Sequence, residues 1–253
     1  MCEDGRVDDV EIVQPAEIDT LNSKSVEIVK SLPKWSAGKR NGKPAKYSYV
    51  IPITYRIPIE AMVDLGLPSG LKWSSMNLGA RFPYDTGNYY QWGCIEPARA
   101  ATWDDYCYGR QNVIYKYCTD SRLNAYDGLT VLQPEDDAAT LIMGDGWRMP
   151  TREEAIELWK YCTREWETHG NICGYRFTGP NGKSIFLPAT GYLDKNGQLR
   201  DNNVDGLYWT STLYTRNNNG AYGLITRKGE GSVGVCWGPN NRQYARAIRP
   251  VHP

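Results

Sequence analysis

Gly146-Trp147-Arg148-Met149-Pro150-Thr151-Arg152-Glu153-Glu154 is the stretch from which the larger part of the chain is read. Thr151 and, three residues on, Glu154 form a capping box. The threonine hydroxyl accepts the N–H of the third helical residue, and the glutamate carboxylate returns to the N–H of the cap. Ala155, Leu158, Trp159 and Cys162 then fall at i, i+3, i+4 and i+7, one buried helical stripe that places Cys162 in the core before it places it in chemistry. Upstream, Gln133-Pro134-Glu135-Asp136-Asp137 opens a second helix, because proline suits a first turn and the acidic residues face the positive helix end. Downstream, residues 175–177, 184–188, 191–193, 207–212, 221–226, 232–237 and 245–251 read as short strands between Asn, Gly, Asp and Pro clusters. Two helices among many short strands from Met62 onward predict an α+β domain with long irregular loops.

Residues 1 to about 60 read differently. Val7, Val10, Ile12 and Val13 suggest a short strand after the turn dipeptide Asp4-Gly5. A helix follows, capped by Asp19 or Asn22, with Leu21, Ser25, Ile28 and Leu32 at helical spacing and Pro33 as its stop. Asn41-Gly42 marks a turn inside a basic stretch that holds Lys34, Lys39, Arg40, Lys43, Lys46 and Arg56 and no acid; its plainest role is a solvated strand face. Residues 45–57 alternate like a strand, and Pro52, which has no N–H to donate, makes it an edge strand.

Composition narrows the function classes. The 253 residues suit one large domain or two smaller ones, and 29 Lys and Arg against 29 Asp and Glu leave no global field to recruit nucleic acid. No apolar run approaches the roughly 20 residues of a membrane span, and no basic-then-apolar signal pattern opens the sequence. Nine Trp and 18 Tyr against 3 Phe leave two readings open: exposed rings of a binding surface, or an irregular core. Cys2, Cys94, Cys107, Cys118, Cys162, Cys173 and Cys236 follow no metal-ligand spacing and fit either free thiols or one or two disulfides with a remainder. His169 and His252 are the only histidines, neither beside a nucleophile elbow. Calcium is the sharper reading of Glu135, Asp136 and Asp137, with Asp120, Asp127 and Asp145 nearby; helix capping is the plainer one.

The first segment resembles the C-terminal domain of TonB energy transducers of the Bacteroidota variety. The matching residues are Glu3-Asp4-Gly5-Arg6-Val7-x-x-Val10, Val26-x-Ile28-Val29-Lys30-Ser31-Leu32-Pro33-Lys34-Trp35, Gly38-Lys39-x-Asn41-Gly42-Lys43-Pro44 and Ile51-Pro52-Ile53-Thr54-Tyr55-Arg56. The resemblance implies a small βαβ module over residues 1–58, facing the periplasm, whose exposed strand pairs with an extended peptide of an outer-membrane transporter. The family carries a further helix and strand before the Glu-Asp-Gly turn, so the module is expected to be truncated here.

Residues 62–253 resemble the Fibrobacter succinogenes major paralogous domain family, whose fold is of the C-type lectin and formylglycine-generating-enzyme kind. Leu65-Gly66-Leu67-Pro68-Ser69-Gly70-Leu71-Lys72-Trp73, Asn77-Leu78-Gly79-Ala80, Gly87-x-Tyr89-x-x-Trp92-Gly93, Gly146-Trp147-Arg148-Met149-Pro150-Thr151, Tyr208-Trp209-Thr210-Ser211 and Arg249-Pro250-Val251 carry it. It implies a cell-envelope protein, periplasmic or surface-exposed, of a Bacteroidota bacterium. Many members have cysteines where this chain has Met76 and His252; with first and last strands paired, those two side chains are expected as neighbours whose bridge has been lost.

In a lectin-type fold the ligand surface lies just before the last strand. Here that stretch offers Tyr214, Arg216, Asn217, Asn218, Asn219, Tyr222, Trp237, Asn240, Asn241, Arg242 and Tyr244 as a carbohydrate or protein-ligand surface, rings for stacking and amides for hydrogen bonds. The bland reading makes the asparagines turn residues and the rings core. A narrower alternative is the variable protein of a diversity-generating retroelement, which diversifies this region. A third is an envelope docking or adaptor protein using the TonB-like edge strand. Catalysis is not expected: the Trp147–Glu154 motif resembles one in formylglycine-generating enzymes, where it starts a helix, and no paired catalytic cysteines accompany it near Cys236.

Overall fold

A computed structural model describes residues 7, 9–14, 19–33, 35, 36, 38–53, 61–110, 113–144, 146–229 and 240–253. The chain divides into two compact units, Met1–Pro58 and Ile59–Pro253. The expected strand at 232–237, together with Trp237, Cys2, Cys236 and Asp145, lies outside the described residues.

In the first unit, α1 (Asp19–Lys30) forms as expected and ends at Lys30, two residues before the expected end at Leu32. Strands β1 (Lys39–Arg40) and β2 (Lys43–Pro44) form a tight hairpin around Asn41 and Gly42, whose φ angles of 53° and 79° are the left-handed pair such a turn requires. The basic side chains of this hairpin are exposed, as a solvated face demands. Two strand expectations fail. Residues 7 and 9–14 form no strand, and no strand is assigned over 45–53, so the edge strand read from alternation and Pro52 is absent over that range. Alternation reports a preference for extended backbone; pairing needs a neighbouring strand in register. Residues 54–57 lie outside the described set.

The second unit is α+β, with small antiparallel sheets joined by long loops. Strands β3 (Met62–Asp64) and β4 (Lys72–Ser74) pair, and a short ladder joins β5 (Gly109–Arg110) to β6 (Val113–Ile114). One 3-10 turn (Pro134–Asp136) leads into α2 (Ala138–Met143). Helix α3 (Arg152–Tyr161) then has the full capping box: Thr151 Oγ1 accepts from Glu154 N at 3.3 Å, and Thr151 N donates to Glu154 Oε2 at 2.7 Å. Strands β7 (Thr163–His169), β8 (Ile172–Thr178) and β9 (Ser184–Pro188) make a three-stranded meander. β7 carried no signal in the sequence, because its polar face is fixed by partners elsewhere: Glu167 takes both the Arg176 guanidinium, at 2.6 and 2.7 Å, and His169 Nε2, at 2.8 Å. A small hairpin of β10 (Tyr192–Leu193) and β11 (Leu199–Arg200) precedes a second sheet of β12 (Asp205–Leu213), β13 (Gly220–Arg227) and β14 (Asn240–Asn241). The last strand, β15 (Val251–His252), returns to pair antiparallel with β4.

That closing register places the last strand of the unit on its opening strand pair. His252 lies opposite Lys72, and its ring meets Trp147 edge-on at 5.4 Å. Ser74 N and Leu78 N reach Pro250 O and Ile248 O, so Met76 sits at the level of residues 248–250. Met76 thus follows the strand that pairs with the last one, with Lys72 and not Met76 directly opposite His252.

Besides two smaller clusters around Tyr89 and Tyr106, two larger ones make most of the core among the described residues. One packs α3, through Ala155, Leu158 and Cys162, against Trp73, Phe177, Leu187, Tyr208 and Leu224; the other gathers Trp92, Tyr117, Met149, Trp209, Leu213 and Ile248 beneath the loops. The second explains the excess of Tyr and Trp over Phe. Loops leave carbonyls unpaired, and a ring with a donor at its tip fills volume while satisfying one. Trp92 Nε1 donates to Thr210 O and Trp209 Nε1 to Tyr90 O, both at 2.8 Å, while Tyr106 OH donates to Trp92 O at 3.0 Å. Arg249, almost fully buried, does the same with three donors, to Asn77 Oδ1, Ser74 O and Phe186 O, and burial lowers its pKa to about 10.

Candidate functional site

The candidate surface is the end of the β12–β13 hairpin and the strand beside it. The pairing shifts register between Trp209 and Leu213, and the connection from 214 to 219 is tight: Asn217 N reaches Tyr214 O, Gly220 N reaches Asn217 O, and Asn217 Oδ1 accepts Asn219 N at 2.8 Å. Asn217 is thus the turn former the bland reading made it. Asn218 Oδ1 accepts Thr119 N and Oγ1, both at 3.3 Å, and ties the hairpin to a neighbouring loop. Arg216 is exposed, Asn219 and Asn241 are half-buried, and β14 holds Asn240 and Asn241 opposite Ala221 and Gly220. The run of asparagines that suggested diversification is accounted for by turn and strand geometry.

The rings divide. Tyr214 and Tyr222 are half-buried and meet edge to face at 5.2 Å, and the Arg152 guanidinium lies 4.8 Å from the Tyr222 centroid. Tyr244 is half-buried, tilted on Tyr192 at 5.7 Å.

Arg242 corrects the sequence reading. It is completely buried, its Nη1 and Nη2 donating to Lys116 O at 3.1 Å and Tyr117 O at 2.6 Å, with Trp92 under its guanidinium at 5.0 Å. Burial holds its pKa below the usual guanidinium value. It positions loops and does not face a ligand. An arginine in an Asn-rich stretch reads as exposed; only the docking of the 116–117 loop puts carbonyls within its reach.

The acidic run follows its plainer reading. Asp136 is buried and accepts from the hydroxyls of Tyr108 and Tyr117 and from Lys116 Nζ at 2.5 Å. Burial raises its pKa, and these three hydrogen bonds more than offset that, leaving it below the ordinary carboxylate value. Asp137 is the α2 cap, accepting from Ala139 N and Thr140 N, and it reaches across to Met149 N at 2.8 Å. Glu135 is exposed, 3.7 Å from Lys116 Nζ. Asp127 accepts Tyr117 N, Cys118 N and Leu129 N, and Asp120 is bound by Arg122. These oxygens already have donors, so the residues serve as caps, turn formers and a partly buried ion pair, the plainer of the two sequence readings and not the calcium one. Among the described residues no group of three or more His, Cys, Asp or Glu is placed to hold a metal ion.

A disulfide joins Cys94 and Cys107; Cys118 and Cys162 are buried free thiols, and Cys173 is a half-buried one. The helix-start motif is consumed in structure, since Arg148 grips Glu154 through two bonds of 2.7 and 2.6 Å. The one site residue the sequence did not nominate is Arg152, read only as part of a capping box. Its ring partner is 70 positions away, and no local pattern encodes that meeting.

Among the described residues no helix is long and apolar enough to cross a membrane. No curated protein and no solved structure matches the chain. Residues 2–57 match the family model of the Gram-negative bacterial TonB protein C-terminal, a likeness that covers under a quarter of the chain and associates it with the Gram-negative cell envelope.

Proposed function

We propose that the protein is a non-catalytic recognition protein of the cell envelope, in which residues 62–253 form a C-type lectin-like domain and bind a carbohydrate or protein ligand at the β12–β13 hairpin end. The edge-to-face Tyr214 and Tyr222 pair carries this reading: two half-exposed rings at a tight turn, on a hairpin whose Leu213 and Ala221 are anchored in the core with Trp92 and Trp209. A platform that is rigid before binding loses little ordering entropy when it binds. The return of β15 to pair with β4 suits the lectin-like assignment, and the Cys94–Cys107 disulfide suits an oxidising compartment outside the cytoplasm. The absence of a catalytic role rests on Arg148, Glu154 and Thr151 being committed to the helix start. The test is a glycan and peptide array probed with the whole chain and with a Tyr214→Ala, Tyr222→Ala double variant of matched thermal stability. Binding that disappears in the variant supports the reading; no binding by either protein refutes it.

A second reading is favoured by the first unit. Residues 48–53 lie in no assigned strand among the described residues and expose Tyr49, Val50 and Ile51, at 58, 80 and 37 %. Extended backbone of this kind pairs with an added strand, the mode in which a TonB-like module would hold a peptide of an outer-membrane protein.

A further inference from the structure

Arg152 leads out of the α3 start toward the ring pair, and its charge is barely used. Its one side-chain hydrogen bond runs from Nη1 to Glu153 Oε1 at 3.4 Å, between neighbours that are both substantially exposed, a pairing worth little in water. Its Nε is buried with no hydrogen-bond partner. Thr212 Oγ1 takes the backbone N–H of Arg152 at 2.9 Å, so the residue is anchored to β12 at its base while the guanidinium stays over Tyr222. Tyr222 is flanked by that guanidinium at 4.8 Å and by Tyr214 at 5.2 Å. It therefore acts as a post that sets the distance between a cation and the half-exposed Tyr214 ring.

The adjoining turn has the same polarity. Asn217 Oδ1 is held by Asn219 N–H, which fixes the amide with its NH2 outward, and Arg216 beside it is exposed. Asn218 likewise spends its Oδ1 on Thr119. The hairpin end thus offers hydrogen-bond donors and positive charge around a ring, with the Asn217 and Asn218 amide oxygens already used and one exposed carboxylate, Glu153, loosely paired to Arg152. Such a surface suits a ligand rich in acceptors, bearing a carboxylate rigidly joined to an apolar face: the carboxylate engages the guanidinium through parallel N–H···O bonds and the face lies on the ring. A uronate sugar has that form, whereas a peptide carboxylate sits on a flexible arm and needs no platform at a fixed distance.

Building on the recognition reading above, we infer that the Arg152, Tyr222 and Tyr214 corner is an anion subsite that selects uronate-type acidic carbohydrates over neutral ones.

The experiment compares binding of tri-galacturonate and of its fully methyl-esterified form, which keeps the rings and removes the charge, by the whole chain. The variants are Arg152→Gln, Arg152→Lys and Tyr214→Ala, each matched for thermal stability. A preference for the acid of at least about tenfold, lost in Arg152→Gln and largely kept in Arg152→Lys, is the expected result. Equal binding of both forms that still depends on Tyr214 overturns the acidic subsite while leaving the recognition reading intact. Acid preference unaffected by Arg152→Gln overturns the assignment to this corner, and so does stronger binding of a tri-glutamate peptide than of the sugar. Binding of neither sugar by the wild-type chain overturns the inference, and the array then decides the recognition reading separately.

Discussion

The guanidinium of Arg242 lies 5.0 Å from the centre of the Trp92 ring, sealed between the indole and the carbonyls of residues 116 and 117. This contact joins the β14 side of the hairpin to two loops more than a hundred residues earlier. Arg242→Ala leaves two buried carbonyls unpaired and a cavity above Trp92. A loss of about 3 kcal/mol is expected, seen as a melting temperature lower by about 6–12 °C for a unit of this size. A loss of ligand binding without a fall in thermal stability would contradict the positioning role.

Asp136 gives the unit an acid limit. Its folded pKa lies below its ordinary value, so the stability it confers is complete above about pH 4 and declines as pH falls through the folded value. Lys116 is shifted upward by its hydrogen bond to Asp136, so its share is complete below about pH 10 and declines above that. Urea midpoints are therefore flat between these limits and fall at both ends. In Asp136→Asn the acid-side fall is shallower and the plateau is lower by about 2 kcal/mol.

The Cys94–Cys107 bridge closes a short loop across 13 positions of sequence separation, and β5 begins two residues beyond it. Replacing both cysteines with alanine is expected to cost about 3 kcal/mol by the chain-entropy account. Calorimetry of the double variant measures it, and an unchanged melting temperature would show that the loop is held by Tyr106 and Trp103 packing alone.

Cys162 is a core thiol in the folded chain. Burial raises its pKa to about 11, so the thiolate is scarce near pH 8 and the sulfur is screened from reagents. Peptide-resolved mass spectrometry after iodoacetamide should show slow labelling of Cys162 in the native protein and rapid labelling in denaturant. Fast native labelling would mean that α3 does not stay docked.

Thr151→Ala removes the side-chain acceptor for Glu154 N at the start of α3. The expected loss is about 1 kcal/mol. Because Arg152 is the next residue, weaker binding at the hairpin end should accompany the lost stability; a binding loss with unchanged stability would separate the two.

Local pattern alone determined the elements whose physics is local. The Thr151 capping box, the Ala155, Leu158 and Cys162 stripe, the Asn41-Gly42 turn and the strands β8, β9, β10, β12 and β13 are set by spacing, side-chain volume and φ preference within a few residues. Tertiary structure decided whatever depends on a partner far along the chain. Residues 45–53 have the alternation of a strand and no ladder; β7 has little apolar pattern and a full one, because Arg176 and His169 satisfy its Glu167. Asp136 and Arg242 carry the same charges in the sequence as surface residues do. Burial among donors and carbonyls from loops 20 to 126 positions away made one a buried ion-pair partner and the other a core strut. The Arg152 and Tyr222 contact belongs with them: a side chain's chemistry is written at its own position, but the field and volume it meets are set only when distant segments pack.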